Sequence, residues 1–312
     1  CSSKYIYNLI PGQKVIQKVD GKKQEVILVK DAEEFKKLWR NSVKYCEKAR
    51  KKIMNTGEYD FGSIKVDFIP NTTTIPVIGA IQWIYEEKFR NEIHEGEFNK
   101  LLSMWYWNAV LSKDYSGSSD TIMSKDFRQL KAWLEEKEMP ERVRNTEHIK
   151  EIIRELDLRK ERKGSSVYNA IISLLALKKA RDFLTGRVPG SVDYVGESVN
   201  DHHIFPSRVK GLELSKRKSF SDTKDYIVNR TLLLDETNIK IQNKRPSEYL
   251  QDILERLNND EKELYALMES HMISKKALQH MWDDNYDEFI VEREKTIKEC
   301  LAKITKVDLS EL

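Results

Sequence analysis

Two short segments, residues 199–206 and 228–238, limit the folds open to this chain more than any other part of its sequence. The first reads Val-Asn-Asp-His-His-Ile-Phe-Pro, in which paired histidines precede a short apolar run and a proline. The second is an apolar run that carries Asn229 near its start and ends at an acidic residue, as a short strand does. Asn238 then falls in the first turn of a predicted helix. The pattern predicts strands followed by a helix.

Most of the remaining chain predicts helices, with a second small β element near the N-terminus. Residues 5–29 alternate apolar and polar side chains around Asp20-Gly21, which is typical of a hairpin turn. Asp31 is placed to cap a helix that runs to about Met54. Hydrophobic periodicity predicts further helices over about 76–93, 98–113, 119–137, 147–156 and 166–186, from Ser247 onward, and two or three more in 261–312.

Composition favours a well-solvated protein, with 39% hydrophobic and 34% charged residues. No run of about 18 apolar residues occurs, so we expect no membrane-spanning helix and no membrane partner. Three cysteines form no Cys-x-x-Cys pair, which favours a reducing cytoplasm over a disulfide framework. The chain begins without an initiator Met, and we expect it to be a piece of a longer protein.

The charge balance is informative only locally. The net charge is +3, because 54 basic and 51 acidic residues nearly cancel. Between Pro206 and Arg245, however, the sequence contains ten Lys or Arg residues and only five acidic ones. This excess suits a polyanionic partner, although a solvated loop would show the same composition.

The residue types of the two segments suit phosphodiester hydrolysis. That reaction needs a base to activate water, and a neutral imidazole is such a base near pH 7. It also needs positive charge on the phosphate and help for the leaving oxygen, both of which a divalent cation supplies. The cation must be held by few protein ligands, so that it keeps open positions.

The motifs resemble the C-terminal nuclease domain of the Gmr-type, modification-dependent (type IV) restriction proteins. They are Asp-His-His-Ile-Phe-Pro at 201–206, Asn-Arg-Thr-Leu-Leu at 229–233, and the segment 238–248 with its Asn-Lys-Arg-Pro-Ser-Glu end. The resemblance implies a mostly α fold: a helical scaffold enclosing a ββα-metal (HNH) nuclease motif, with a small hairpin-containing N-terminal segment. Residues 1–96 would be the remnant of an N-terminal module, and 97–312 a helical domain with the motif at about 199–248.

The same resemblance implies roles for individual residues. His203 would be the general base, and Asn229 would orient it from the strand between. His202 and Asn238 would bind a single Mg²⁺ or Mn²⁺, with Asp201 competing with His202 as ligand. Candidate phosphate or DNA contacts are Arg230, Lys244, Arg245 and Arg208.

The implied function is a metal-dependent endonuclease that cuts DNA, in defence against phage or modified foreign DNA, with the missing N-terminal module of the parent protein as a further partner. Two alternatives stay open: a catalytically silent DNA-docking or regulatory module, and an RNase. A structural zinc role for the paired histidines lacks the cysteines that it would normally need.

Two other groups of residues predict structure rather than function. Helical spacing of the cluster Met104-Trp-Tyr-Trp107 favours packing in the core over a base-stacking platform. The histidines outside the motif fall in charged helical segments, where solvated or capping roles are expected: His94, His148, His271 and His280.

Overall fold

The computed structural model describes residues 11–19, 22–116, 119–188, 198–208 and 218–309. In this part, the chain is mostly helical, with two separate two-stranded antiparallel sheets. The strands are β1 (Lys14–Val19), β2 (Lys22–Ile27), β3 (Val199–His203) and β4 (Arg230–Leu234). The α-helices are α1 (Ala32–Met54), α2 (Thr74–Ile84), α3 (Glu95–Leu111), α4 (Ser119–Glu136), α5 (Glu141–Arg144), α6 (Thr146–Glu155), α7 (Ser166–Leu177), α8 (Lys218–Thr223), α9 (Asp235–Ile241), α10 (Pro246–Arg256), α11 (Glu261–Ser270), α12 (Lys275–Trp282) and α13 (Tyr286–Thr305).

The predicted N-terminal hairpin and the helix after it are confirmed. Strands β1 and β2 pair antiparallel with Val19 opposite Lys22, while the turn residues 20–21 lie outside the described part. Helix α1 begins after Asp31, whose carboxylate accepts a hydrogen bond from the backbone N–H of Glu34 at 2.8 Å. This side-chain cap satisfies one of the free N–H groups of the first turn.

The core is built around α3 and α7, the two most completely buried helices. Trp105, Tyr106 and Trp107 of α3 are all fully buried, which confirms the predicted core role of this aromatic cluster. Helix α7 lies so close to a preceding loop that a Cβ on Gly62 would come within 2.3 Å of the Ser173 carbonyl oxygen. Gly62 also has a φ of +82°, so only glycine fits this contact without strain.

Two predicted helix ends were wrong. The helix predicted to run to Gly186 ends at Leu177, because the chain turns at Lys179, which has a φ of 56°. Gly186 instead closes a short loop, in which its N–H donates to the carbonyl of Asp182 at 2.8 Å. The α-helix predicted to reach residue 93 ends at Ile84, and a π-helical turn follows it over Tyr85–Phe89.

A single cluster of buried apolar side chains extends through the chain from Ala49 to Ala302. It includes Phe61 and Ile78 as well as residues of the C-terminal helices, so side chains from both sides of residue 96 contribute to it. The predicted division into 1–96 and 97–312 stays a prediction. Among the described residues, no helix is both long and apolar enough to cross a bilayer.

Candidate functional site

The second sheet and the helix after it form one compact unit. Strands β3 and β4 pair antiparallel, with Val199 opposite Leu234 and His203 opposite Arg230. Strand β4 leads directly into α9 at Asp235. Its last four residues are buried, as in a strand covered on both faces. The predicted order of strand, strand and helix is confirmed.

Asn229 fastens the end of β3 to the start of β4. It lies in a 3₁₀ turn (Ile227–Asn229) directly before β4, and not on the strand as predicted. Its fully buried amide accepts a hydrogen bond from the Phe205 N–H at 2.8 Å and donates to the Phe205 carbonyl at 2.9 Å. A third bond goes to the Lys224 carbonyl at 3.0 Å. Asn229 therefore fixes the backbone two residues beyond His203.

His203 ends β3 and pairs with a carboxylate. Its Nε2 donates to Oδ1 of Asp225 at 2.9 Å, and the Arg230 guanidinium donates to the same oxygen at 2.8 Å. Burial, followed by the nearby Arg230 charge, lowers the pKa of His203 against the opposing effect of Asp225. The hydrogen bond from His203 and the Arg230 charge outweigh partial burial and lower the pKa of Asp225.

The contact with Asp225 indicates which nitrogen of the His203 ring carries the hydrogen. An ionised Asp225 can only accept a hydrogen bond, so the proton of the neutral imidazole lies on Nε2. The other ring nitrogen, Nδ1, then carries the basic lone pair. His203 is thus held as a neutral proton acceptor.

His203 and Asn238 line the same open cleft, which has a volume of about 340 Å³. One side of the cleft comes from the end of β3 and the residues after it, and the other side from α9 and its C-terminal end. The remaining lining residues are Pro206, Ser207, Ile239, Gln242 and Asn243. The tertiary structure therefore brings together two of the predicted site residues from segments that lie 35 positions apart.

His202 pairs with Asp235, a residue that sequence analysis did not assign to the site. The His202 Nε2 donates to Asp235 Oδ1 at 3.1 Å, and Asn200 donates to the same oxygen at 2.9 Å. Burial lowers the pKa of His202, although Asp235 opposes this shift. Asp235 begins α9, and Asn238 lies three positions later, on the same side of the helix. His202 is therefore tied to the start of α9, the helix that also carries Asn238.

Asp201 bonds to residues outside α9. Its buried carboxylate accepts hydrogen bonds from Lys163 at 2.7 Å and from the Tyr168 hydroxyl of α7. Successive side chains of a strand point to opposite faces, so His202 lies on the opposite face of β3 from Asp201, while His203 ends the strand beside the cleft. Hydrogen bonds from Lys163 and Tyr168 lower the pKa of Asp201 despite its burial.

The four predicted phosphate contacts occupy different environments. Arg208 is exposed immediately after Ser207. Lys244 forms an ion pair with Asp252, and the backbone N–H of Arg245 donates to Glu248 at the start of α10. The partly buried Arg230 is engaged with Asp225 inside the unit.

Buried polar residues of the C-terminal helices form hydrogen bonds to β4 and to the turn before it. The sequence did not indicate that these residues are buried. His271 was predicted to be solvated or capping, and this prediction is wrong, because its side chain is fully buried. Burial is tolerated because both ring nitrogens have partners: Nε2 donates to the Arg181 carbonyl at 2.6 Å, and Nδ1 accepts from the Thr231 hydroxyl at 2.5 Å. Arg293 of α13 is also buried and donates to the carbonyls of Val228 and Arg230 at 2.8 and 2.7 Å. These bonds tie β4 to the C-terminal helices.

The residues around α9 include nitrogen and oxygen atoms of the kinds that bind metal ions. Within the described ranges, no group of three or more His, Cys, Asp or Glu side chains could hold a metal ion. His202 and Asp235 contact each other, and Asn238 lies on the same helix as Asp235. Nitrogen and oxygen donors in small number leave room for water and phosphate around Mg²⁺ or Mn²⁺.

Comparison with known proteins adds one relative. No family model and no solved structure match the chain. A protein of Methanocaldococcus jannaschii, described as uncharacterized, is 29% identical over 287 residues, which are 85% of this chain and 46% of that protein. The chain thus spans about half the length of this curated relative. The function of the present chain is therefore inferred from the geometry of its site.

Proposed function

We propose that this chain is a metal-dependent endonuclease of the ββα (HNH) class that hydrolyses phosphodiester bonds in DNA. The observation that carries the proposal is the cleft shared by His203 and Asn238, which joins a neutral imidazole at the end of a strand to an amide on the following helix. Strand, strand and helix stand in the order that this nuclease class requires.

His203 is the proposed general base. Its Nε2 hydrogen is held by Asp225, so Nδ1 is free to take a proton from a water molecule in the cleft. The lowered pKa keeps the ring neutral, and therefore competent as a base, at neutral pH. Asn229 maintains the position of the ring by fixing the backbone around Phe205.

His202 and Asn238 are the proposed ligands of one Mg²⁺ or Mn²⁺. We favour His202 over Asp201 because the Asp201 carboxylate is already bound by Lys163 and Tyr168. Asp235 accepts the Nε2 hydrogen of His202, which leaves Nδ1 of that ring for a metal. When bound, the ion would polarise the phosphate and stabilise charge on the leaving oxygen.

Three cations are proposed to bind the substrate backbone: Arg208, Lys244 and Arg245. The first follows the cleft residue Ser207, and the other two follow the cleft residue Asn243. Contacts of this kind recognise phosphate rather than base sequence. We assign Arg230 instead to the support of Asp225.

The resemblance to Gmr-type restriction proteins extends the proposal to a cytoplasmic role in defence against phage or modified foreign DNA. The chain spans about half of its curated relative. The activity of the whole protein, including any action of an N-terminal module, is therefore part of the proposal.

The test is cleavage of supercoiled plasmid by the purified chain in Mg²⁺ or Mn²⁺, with EDTA as a control. We expect metal-dependent nicking that falls by a factor of about 10²–10⁴ in His203→Ala, because the base is removed. His148→Ala removes an exposed histidine of α6 and should nick like the wild type. Equal nicking by the wild type and His203→Ala would refute the proposal.

Two further arms of this experiment separate the alternatives. Asn238→Ala should raise the Mg²⁺ concentration needed for half-maximal nicking, because a metal ligand is lost. Structured RNA, digested beside DNA, identifies an RNase if only the RNA is cut. Salt-dependent DNA binding without nicking by a folded sample would instead identify a docking module.

A further inference from the structure

We propose that Asp225 is a positioning residue for His203, whose carboxylate holds the imidazole in the orientation and tautomer that leave Nδ1 as the proton acceptor. This inference rests on the proposed nuclease function. Asp225 lies outside both motif segments, 22 residues after His203, in the connection between the strands.

The backbone on both sides of Asp225 is fixed. The carbonyl of the preceding residue, Lys224, accepts a hydrogen bond from Asn229 at 3.0 Å. The following residue, Tyr226, donates its N–H to Thr223 at 3.0 Å and receives side-chain hydrogen bonds from Arg162 at 2.7 and 3.1 Å. The carboxylate of Asp225 is thus presented to His203 from an anchored segment rather than from a free loop.

Arg230 fixes the carboxylate from a second direction. It lies directly opposite His203 in the register of the sheet, and its guanidinium donates to the same Asp225 oxygen that accepts from the imidazole. The three side chains therefore form one hydrogen-bonded unit across the end of the sheet. A carboxylate with two donors on one oxygen has less freedom to rotate than an unpaired surface acid.

The proposed step defines what Asp225 contributes. His203 Nδ1 takes a proton from water, the water oxygen forms a bond to phosphorus, and the bond from phosphorus to the leaving oxygen breaks with its electron pair on that oxygen. Solvent then supplies a proton to the leaving oxygen. The imidazolium formed on His203 keeps its Nε2 hydrogen on the ionised Asp225, which stabilises the new positive charge.

The exposure of the Asp225 side chain favours a role in the reaction over a role in the stability of the fold. The Asp225 side chain is 62% exposed, whereas that of His203 is 22% exposed. Ion pairs at exposed positions contribute little to folding, because water screens them. Replacement of Asp225 should therefore change the reaction and leave the fold intact.

The experiment compares five variants in the plasmid assay, over a range of DNA and Mg²⁺ concentrations that gives kcat, KM and the Mg²⁺ requirement separately. Asp225→Asn should lower kcat about 100-fold or more, because an amide can also donate and so favours the wrong tautomer. Asp225→Glu keeps an acceptor and should recover part of the loss. Neither should change KM or the Mg²⁺ requirement. Asp235→Asn, beside the proposed metal ligand His202, should instead raise the Mg²⁺ requirement.

Asp222→Asn is the matched control, because it removes the same charge from an exposed position three residues away on α8. It should nick like the wild type, and circular dichroism should show all variants folded. Wild-type kcat in Asp225→Asn, with His203→Ala inactive, would overturn this inference and leave the nuclease standing. A change in KM alone would overturn it too. An inactive wild type would remove both proposals.

Discussion

At the scale of single residues, Asn229 acts on His203 through the backbone. Its buried amide satisfies both the N–H and the carbonyl of Phe205, and also the carbonyl of Lys224. One side chain thereby joins the segment after β3 to the turn before β4. A buried backbone group that loses its partner costs about 1–3 kcal/mol, so this position should be sensitive to small chemical changes.

We expect Asn229→Ala to lower the free energy of unfolding by about 2–4 kcal/mol, since two buried backbone groups and one partly buried carbonyl lose their partner. Asn229→Asp, which still accepts but no longer donates to the two carbonyls, should also be destabilised. Urea unfolding followed by circular dichroism measures both. Asn243→Ala, at an exposed asparagine, is the control. An unchanged urea midpoint in Asn229→Ala would contradict this account.

At the scale of elements, the junction of β4 and α9 is held by a residue from another segment. The buried carboxylate of Asp182, which follows α7, accepts hydrogen bonds from the Leu234 N–H at 2.9 Å and from the Thr237 hydroxyl at 2.6 Å. It also accepts from the N–H of Thr185 at 3.0 Å. Negative charge near a helix N-terminus is favourable, so the Asp182 carboxylate also stabilises the start of α9.

Asp182→Ala should therefore destabilise the protein by about 2–4 kcal/mol, because several buried donors lose a charged acceptor. It should also raise the Mg²⁺ requirement for nicking, since α9 carries Asn238. Thr237→Val removes only one of the hydrogen bonds and should cost about 1 kcal/mol. Thermal and urea unfolding of the two variants give the comparison. Equal stabilities would show that Asp182 does not anchor the junction.

At the scale of the whole molecule, the C-terminal helices support the site through buried polar side chains. His271, at the C-terminal end of α11, bonds to Thr231 of β4, and Arg293 of α13 bonds to the carbonyls on either side of Asn229. Burial lowers the pKa of His271 to about 4, from its ordinary 6.5. The stability of the folded chain is therefore linked to pH through this residue.

Between pH 6.5 and pH 4, the unfolded chain binds a proton at His271 that the folded chain does not bind. Stability therefore falls as the pH drops through this window, by up to about 3 kcal/mol from this residue. His271→Gln cannot titrate, so its unfolding free energy should decrease less over the same range. Urea unfolding at several pH values measures the difference, with His148→Ala as the exposed control. Identical pH dependence in wild type and His271→Gln would contradict the prediction.

Features that depend on near neighbours in the chain could be predicted from the sequence. The hairpin around residues 20–21, the Asp31 cap, the aromatic core of α3 and the order of β3, β4 and α9 follow from turn residues, capping side chains and hydrophobic periodicity. The spacing of His203 and Asn238 likewise indicated a shared site, and the two residues line one cleft.

Pairs of distant residues could not be predicted in this way. Asp225 meets His203, Asp235 meets His202, and His271 is buried against Thr231, at separations of 22, 33 and 40 residues. Local patterns report which face of an element is apolar, but they do not report which polar side chain lies on the facing element. Only the packing of β4 between α7, α9 and the C-terminal helices decides those partners, because a buried polar group is stable only where the folded chain supplies its hydrogen bonds.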